Sequence, residues 1–184
     1  MSKHYEMRFS GIGGQGAITA GVIMADAAVN YEGLNAVQAP TYTAAARGGP
    51  TKVDVIISDT EIFYPNVRHI DFFLSLHQKA FNIYAKNLKP DAIVLVDPYT
   101  TPDIERAELE TQRIYKLPII QPAKEELGNV VVANVFAVGA ITELTGYLSV
   151  DAVRKAVADR VPKFYLELNM KAFDLGVERA RRLR

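Results

Sequence analysis

Apolar and polar positions change period several times along the chain, and each change predicts an element. His4 to Ser10 alternates and ends in Gly11, as a first strand would. Gly16 to Asn30 is rich in Ala, with Ile18, Val22, Ile23 and Ala27 near helical spacing, so a helix follows the glycines and closes at Glu32-Gly33. Leu34 to Ala39 predicts a second strand stopped by Pro40. The stretch from Pro40 to Pro50 has turn residues at both ends and no period, which predicts a loop of the kind that carries function. Thr51 to Ser58 sets Val53, Val55 and Ile57 against Lys52, Asp54 and Ser58, with Ile56 out of phase: a strand covered on one face and partly on the other.

Ile70 to Leu76 is a further apolar run, followed by helical character from Gln78 to Leu88 that stops at Lys89-Pro90. Ala92 to Val96 is continuous and largely β-branched, as a strand buried on both faces requires, and Asp97-Pro98 ends it. Arg113 to Ile119 predicts a short strand that Pro118 places at an edge. The rest predicts helices over Asn129 to Leu144, Val150 to Ala158 and Pro162 to Arg182. Strands alternating with helices give an α/β fold with a mostly parallel central sheet flanked by helices. With no repeat or linker, residues 1–184 form a single expected domain.

Composition narrows the function more than the fold. Of 184 residues, Lys plus Arg and Asp plus Glu number 21 each, so no chain-wide field attracts polyanions and nucleic acid is not an expected partner. The chain has no Cys, which excludes disulfides, a catalytic thiol, thiolate zinc sites and Cys-ligated iron–sulfur clusters on it. Electron transfer would need another chain to carry the clusters. The N-terminal MSKHYEMRFSG lacks a signal-peptide core and reads as mature cytoplasmic sequence. The apolar stretch from Val130 to Ile141, broken by Asn134, is about 12 residues, against the ~20 a bilayer needs, so no membrane span is expected.

Gly11, Gly13 and Gly16 in GIGGQG satisfy G-x-G-x-x-G between a predicted strand and a predicted helix. Glycines there allow a tight turn and let helix N-terminal N–H groups approach an anion. A dinucleotide site also asks for an acidic residue closing the second strand, where this chain has Val37-Gln38-Ala39-Pro40, so nicotinamide binding is disfavoured. A turn that only lets the helix pack close to the sheet is the plainer reading. Arg47-Gly48-Gly49 offers a guanidinium fork for carboxylate or phosphate, or else a solvated loop arginine. His4, His69 and His77 are too scattered for a metal site, Tyr42 and its neighbouring threonines lack a base, and Asp97-Pro98 reads equally as a ligand position or a turn start. No catalytic residue and no metal ligand is expected. The helix over Asn129 to Leu144 is apolar nearly all round, and the last helix has two stripes, led by Phe164 and Leu166, wide enough for a partner surface or a broad core face.

Four segments, GIGGQG, the Tyr42 to Gly49 segment ending in ARGG, VIISD and ANVFAVGAIT, together give a chain that resembles the gamma subunit of 2-oxoacid:ferredoxin oxidoreductases, over most of its length. Members usually carry Gly and Glu where this chain has Thr43 and Ala45. The resemblance implies a Rossmann-like domain packed on alpha and beta subunits, with a delta subunit in some enzymes. It implies a complex that oxidatively decarboxylates a 2-oxoacid to an acyl-coenzyme A with thiamine diphosphate and Mg2+, and passes electrons through iron–sulfur clusters on other subunits to ferredoxin. Within it, Gly11, Gly13, Gly14, Gln15 and Gly16 with Arg47, Gly48 and Gly49 are the expected binding residues. Gly13, Gly14 and Gln15 would face a phosphate of coenzyme A, and Arg47 would pair with a phosphate or the substrate carboxylate. The alternatives are an assembly subunit without ligand contacts and a stand-alone dinucleotide-binding protein.

Overall fold

The computed structural model describes residues 3–41, 48–104 and 109–184. Its strands are β1 (His4–Ile12), β2 (Asn35–Thr41), β3 (Pro50–Ser58), β4 (Ile70–Ser75), β5 (Leu88–Val96) and β6 (Ile114–Lys116). The helices are α1 (Ala17–Glu32), α2 (Gln78–Tyr84), α3 (Ile120–Glu125), α4 (Ala133–Thr145), α5 (Val150–Arg160) and α6 (Leu166–Arg181). All six strands form one sheet in the order β2-β3-β1-β4-β5-β6. β1, β4, β5 and β6 pair in parallel, whereas β3 is antiparallel to both β1 and β2 and so runs against the other five. The α/β expectation of a mostly parallel sheet flanked by helices holds, with β3 inserted where a simple βαβ unit would set β2 beside β1.

Alternation along the strands decides what each face buries. Met7, Phe9, Val53, Val55, Ile57, Phe72, Leu74, Ile93 and Leu95 face the layer of α1, α4, α5 and α6. On the opposite face Phe73, Val94 and Val96 pack with Phe81 of α2. Beside that smaller cluster the same face carries Glu6, Arg8 and Asp54, all buried. Arg8 and Asp54 stand opposite each other in the β1–β3 register. They form a two-pronged pair, Nε to Oδ1 at 2.6 Å and Nη2 to Oδ2 at 3.0 Å. Glu6 Oε2 accepts from the backbone of Arg68 at 2.5 Å and of His69 at 2.9 Å.

Several boundaries differ from the pattern for identifiable reasons. β2 runs through Pro40 because it is an edge strand, where a missing N–H breaks no ladder. α2 stops at Tyr84, and Asn87, with φ 61°, turns the chain into β5 before Pro90. Pro90 then sits where the β4–β5 register shifts, between the Ile70↔Leu88 and Phe72↔Ile93 pairs. α3 forms where the sequence predicts no helix: Pro122 masks it, yet proline is tolerated in a first turn, whose N–H groups have no helical partner. The helices expected from Asn129 and Pro162 begin with 3-10 turns, Val130–Val132 and Lys163–Tyr165.

α1 ends at Gly33, left-handed at φ 66°, and is tied to α5 by Glu32, whose Oε1 accepts from Ser149 N–H at 2.9 Å. Hydrogen bonds from Ser149 hold the Glu32 carboxyl below its ordinary 4.5. A lowered folded value means stability that is present above the unfolded value and lost as pH falls through the folded one. Because Glu32 is exposed, screening keeps the effect small. Glu32→Gln is expected to cost less than ~1 kcal/mol at neutral pH, and denaturant titrations should show the deficit closing as pH drops below about 4.

Candidate functional site

β1, β4 and β5 end on the same side of the sheet, the side where parallel sheets hold ligands, and the antiparallel β3 begins there. At the end of β1 the chain makes a tight turn in which Gln15 N–H donates to Ile12 O at 3.1 Å. The third residue of that turn is Gly14, with φ 97°, the sign a type II turn demands and one that side chains resist. Gly16, at φ 72°, then opens α1.

The structure brings this turn against the second glycine segment. Gly13 N–H donates to Gly49 O at 3.1 Å, and a Cβ on Gly13 would lie 3.5 Å from Gly48 N. Gly48 is itself left-handed at φ 66°. Gly11, Gly13, Gly14, Gln15, Gly16, Gly48 and Gly49 therefore form one cluster, while Arg47, the residue before Gly48, lies outside the described residues, as does 42–46.

Beside the cluster is a pocket of about 410 Å3 lined by Ile12, Gly13, Gly14, Gly16, Thr19 and Thr51, among others. The N-cap residue Gly16 has no side chain to cap α1, and the first turn holds no acidic residue, which leaves a helix N-terminus of the kind that attracts anions. Gln15 differs from the expectation that it faces a phosphate. Its Oε1 accepts from Ile12 N–H at 2.8 Å and its Nε2 donates to Leu76 O at 2.9 Å, so the carboxamide is engaged inside the turn.

A second pocket of about 310 Å3, mainly apolar, shares Thr19 with the first and is walled by Ile23, Val131, Val135, Val161 and Tyr165. Asn134 lines it and also presses on the glycine turn: a Cβ on Gly16 would meet Asn134 Cβ and Nδ2 at 2.8 Å. Neither Asn134 nor Thr19 stands in a motif that marks it as a site residue. The available signal was Asn134 as the polar break in an otherwise apolar helix.

Asp97 resolves toward structure. It is fully buried, with Oδ1 accepting from Tyr99 N–H at 3.0 Å and Oδ2 from Ile119 and Ile120 N–H at 3.0 and 2.9 Å, at the start of α3. His77 caps α2 by accepting from Lys79 N–H at 3.1 Å. Among the described residues no group of three or more His, Cys, Asp and Glu could hold a metal ion, and no helix is long and apolar enough to cross a membrane. The dinucleotide alternative meets a geometric obstacle, because β3 separates β2 from β1 and carries the end of β2 two strand spacings, about 10 Å, from the glycine strand.

Comparison with known proteins points one way. Residues 6–179 match the family described as pyruvate ferredoxin/flavodoxin oxidoreductase. The 2-oxoglutarate synthase subunit KorC of Methanocaldococcus jannaschii is 40% identical over 178 residues, which cover 97% of this chain and 95% of that one. The solved gamma subunit of a keto/oxoacid ferredoxin oxidoreductase from Geobacter sulfurreducens superposes with a TM-score of 0.88, at 43% identity, over 98% of both chains. A 2-oxoglutarate:ferredoxin oxidoreductase from Magnetococcus marinus, solved with 2-oxoglutarate, coenzyme A and succinyl-CoA bound, matches at TM-score 0.83 and 25% identity. It covers 99% of this chain but only 32% of its own.

Proposed function

The chain belongs to the pyruvate ferredoxin/flavodoxin oxidoreductase family, as a gamma-type subunit of a multisubunit 2-oxoacid:ferredoxin oxidoreductase, and from that premise we propose its part in the reaction. The complex converts a 2-oxoacid, 2-oxoglutarate in the first instance, and coenzyme A to acyl-coenzyme A and CO2, passing two electrons to ferredoxin in the cytoplasm. Alpha and beta subunits hold thiamine diphosphate with Mg2+, and beta or a delta subunit holds the iron–sulfur clusters. A chain without Cys has no thiolate with which to ligate a cluster, which fits that division. Thiamine diphosphate supplies the carbanion chemistry when bound; this subunit binds and orients coenzyme A.

One observation carries the reading: the two glycine segments, remote in sequence, meet through Gly13 N–H and Gly49 O beside the start of α1, which Gly16 opens without a side chain. Backbone approach is closest where Cβ atoms are missing, and the exposed Gly14 leaves the turn open to solvent. A pyrophosphate gains helix N–H donors there and Arg47, next to Gly48, adds a fixed positive charge.

The test is to purify the native complex through a tag on this chain and assay 2-oxoacid-dependent ferredoxin reduction with thiamine diphosphate and coenzyme A. In that complex Arg47→Ala is expected to raise the KM for coenzyme A roughly tenfold to a hundredfold, the worth of about 1.5–3 kcal/mol for a charged hydrogen bond, with subunit composition unchanged. Unchanged kinetics for every substrate would instead assign the chain an assembly role alone.

A further inference from the structure

Parallel pairing of β1 and β4 runs from Met7↔Phe72 to Ser10↔Ser75, and Leu76 N–H still donates to Ser10 O at 3.0 Å. In a parallel ladder the following rung would join Ile12 N–H to Leu76 O. That rung is not made directly. Ile12 N–H donates at 2.8 Å to Gln15 Oε1, and Gln15 Nε2 donates at 2.9 Å to Leu76 O.

We propose that Gln15 is a positioning residue whose carboxamide substitutes for a peptide group, relaying the missing rung and holding the ends of β1 and β4 apart so that the glycine turn keeps its ligand-binding shape. The inference rests on the reading of that turn as a coenzyme A contact. Its chemistry is restrictive. The side chain must accept on one atom and donate from the other, which a carboxamide does and a carboxylate or thioether does not. Gly11 fits the same arrangement, since a Cβ there would lie 2.8 Å from Gln15 Oε1 and push the carboxamide out. The relay ties the half-buried turn to Leu76, which is fully buried, so one end of it is anchored in the core.

The distinguishing experiment uses protonation. In Gln15→Glu the carboxylate accepts from Ile12 but faces Leu76 O without a proton; once protonated it can accept and donate as the carboxamide does. Gln15→Met keeps the length and lacks both functions at every pH. The charged and titratable groups on the surrounding elements are shared by all three proteins. The first turn of α1 has no acidic residue, His77 Nδ1 accepts from Lys79 N–H, Lys52 is paired with Asp54, and Asp97 accepts three N–H groups. Activity ratios to wild type at each pH therefore isolate position 15.

In the whole complex both variants are expected to raise the KM for coenzyme A about tenfold near pH 7.5, with kcat changed less, because a polar group is left unsatisfied at the turn. As pH falls from about 7.5 through the ordinary glutamate range at about 4.3, the Gln15→Glu ratio should climb toward one while the Gln15→Met ratio stays low. Hydrogen exchange of the Ile12 amide should follow the same course. A Gln15→Glu deficit independent of pH, or wild-type kinetics and exchange in both variants, overturns the relay. Ile12 exchange that is faster in Gln15→Glu and recovers at low pH, with the KM for coenzyme A untouched throughout, supports the relay and removes the coenzyme A reading of the turn.

Discussion

Gly139→Ala is expected to lower the stability of this chain by about 3 kcal/mol, the upper end of what overpacking costs, although in an isolated helix the same change would be favourable by ~1 kcal/mol. The sign reverses because α4 and α6 touch backbone to backbone. A Cβ on Gly139 would lie 2.1 Å from Phe173 O, and a Cβ on Gly176 would lie 2.0 Å from Phe136 O. Neither obstacle is the end of a movable side chain, so the helices must separate. Around that contact Phe136, Val138, Ala140 and Phe173 are fully buried, and separation opens voids among them. Guanidinium denaturation should show the midpoint falling with little change in slope, and Tm dropping by roughly 6–12 °C. Gly176→Ala should behave alike. A midpoint unchanged in either variant would mean that α4 and α6 do not approach this closely.

Removing the carboxylate of the Arg8–Asp54 pair should be as severe by a different mechanism. Arg8 and Asp54 are 8% and 6% exposed, so Asp54→Ala strands a guanidinium in a site with little water and leaves Lys52 beside it without its carboxylate. Loss of one member of a buried pair costs about 3–5 kcal/mol, most of it the uncompensated charge. The double variant Arg8→Met, Asp54→Leu removes both charges and should recover most of that loss. Recovery stays partial because Arg8 Nη1 also donates to the backbone oxygens of Tyr84 and Lys86, at 3.2 and 3.4 Å. Denaturation of the three proteins side by side decides the matter. A double variant no more stable than Asp54→Ala would show that the pair contributes through geometry rather than charge balance.

Much of the fold was legible in the residues. Alternation at Val53, Val55 and Ile57 gave β3, the continuous run from Ala92 gave the core of β5, and the all-apolar helix around Val135 to Ile141 proved to be the buried α4. The glycine motif stood where expected, between β1 and α1. Less legible were elements whose signal is overridden by neighbours. Pro40 and Pro90 are strand residues because one lies on an edge and the other at a register shift. α3 forms where Asp97, some 22 residues earlier, satisfies its first N–H groups. At the candidate site, the residues around Gln15 point to a ligand contact but do not show that its carboxamide bonds to Leu76 O, since nothing local reveals that Leu76 lies within its reach.

The sequence by itself determined the kinds of element, their approximate limits, the absence of thiolate chemistry and the two glycine segments. These follow from side-chain periodicity, local backbone preference and inventory, all short-range properties. Only the tertiary structure decided that β3 enters the sheet reversed between β1 and β2, that Gly13 meets Gly49, that Arg8 pairs with Asp54 and that Asn134 abuts Gly16. Each is a contact between residues tens of positions apart. Which surfaces meet there depends on how the whole sheet and helix layer pack to exclude water and leave no buried polar group unmatched, a condition no single stretch of chain encodes.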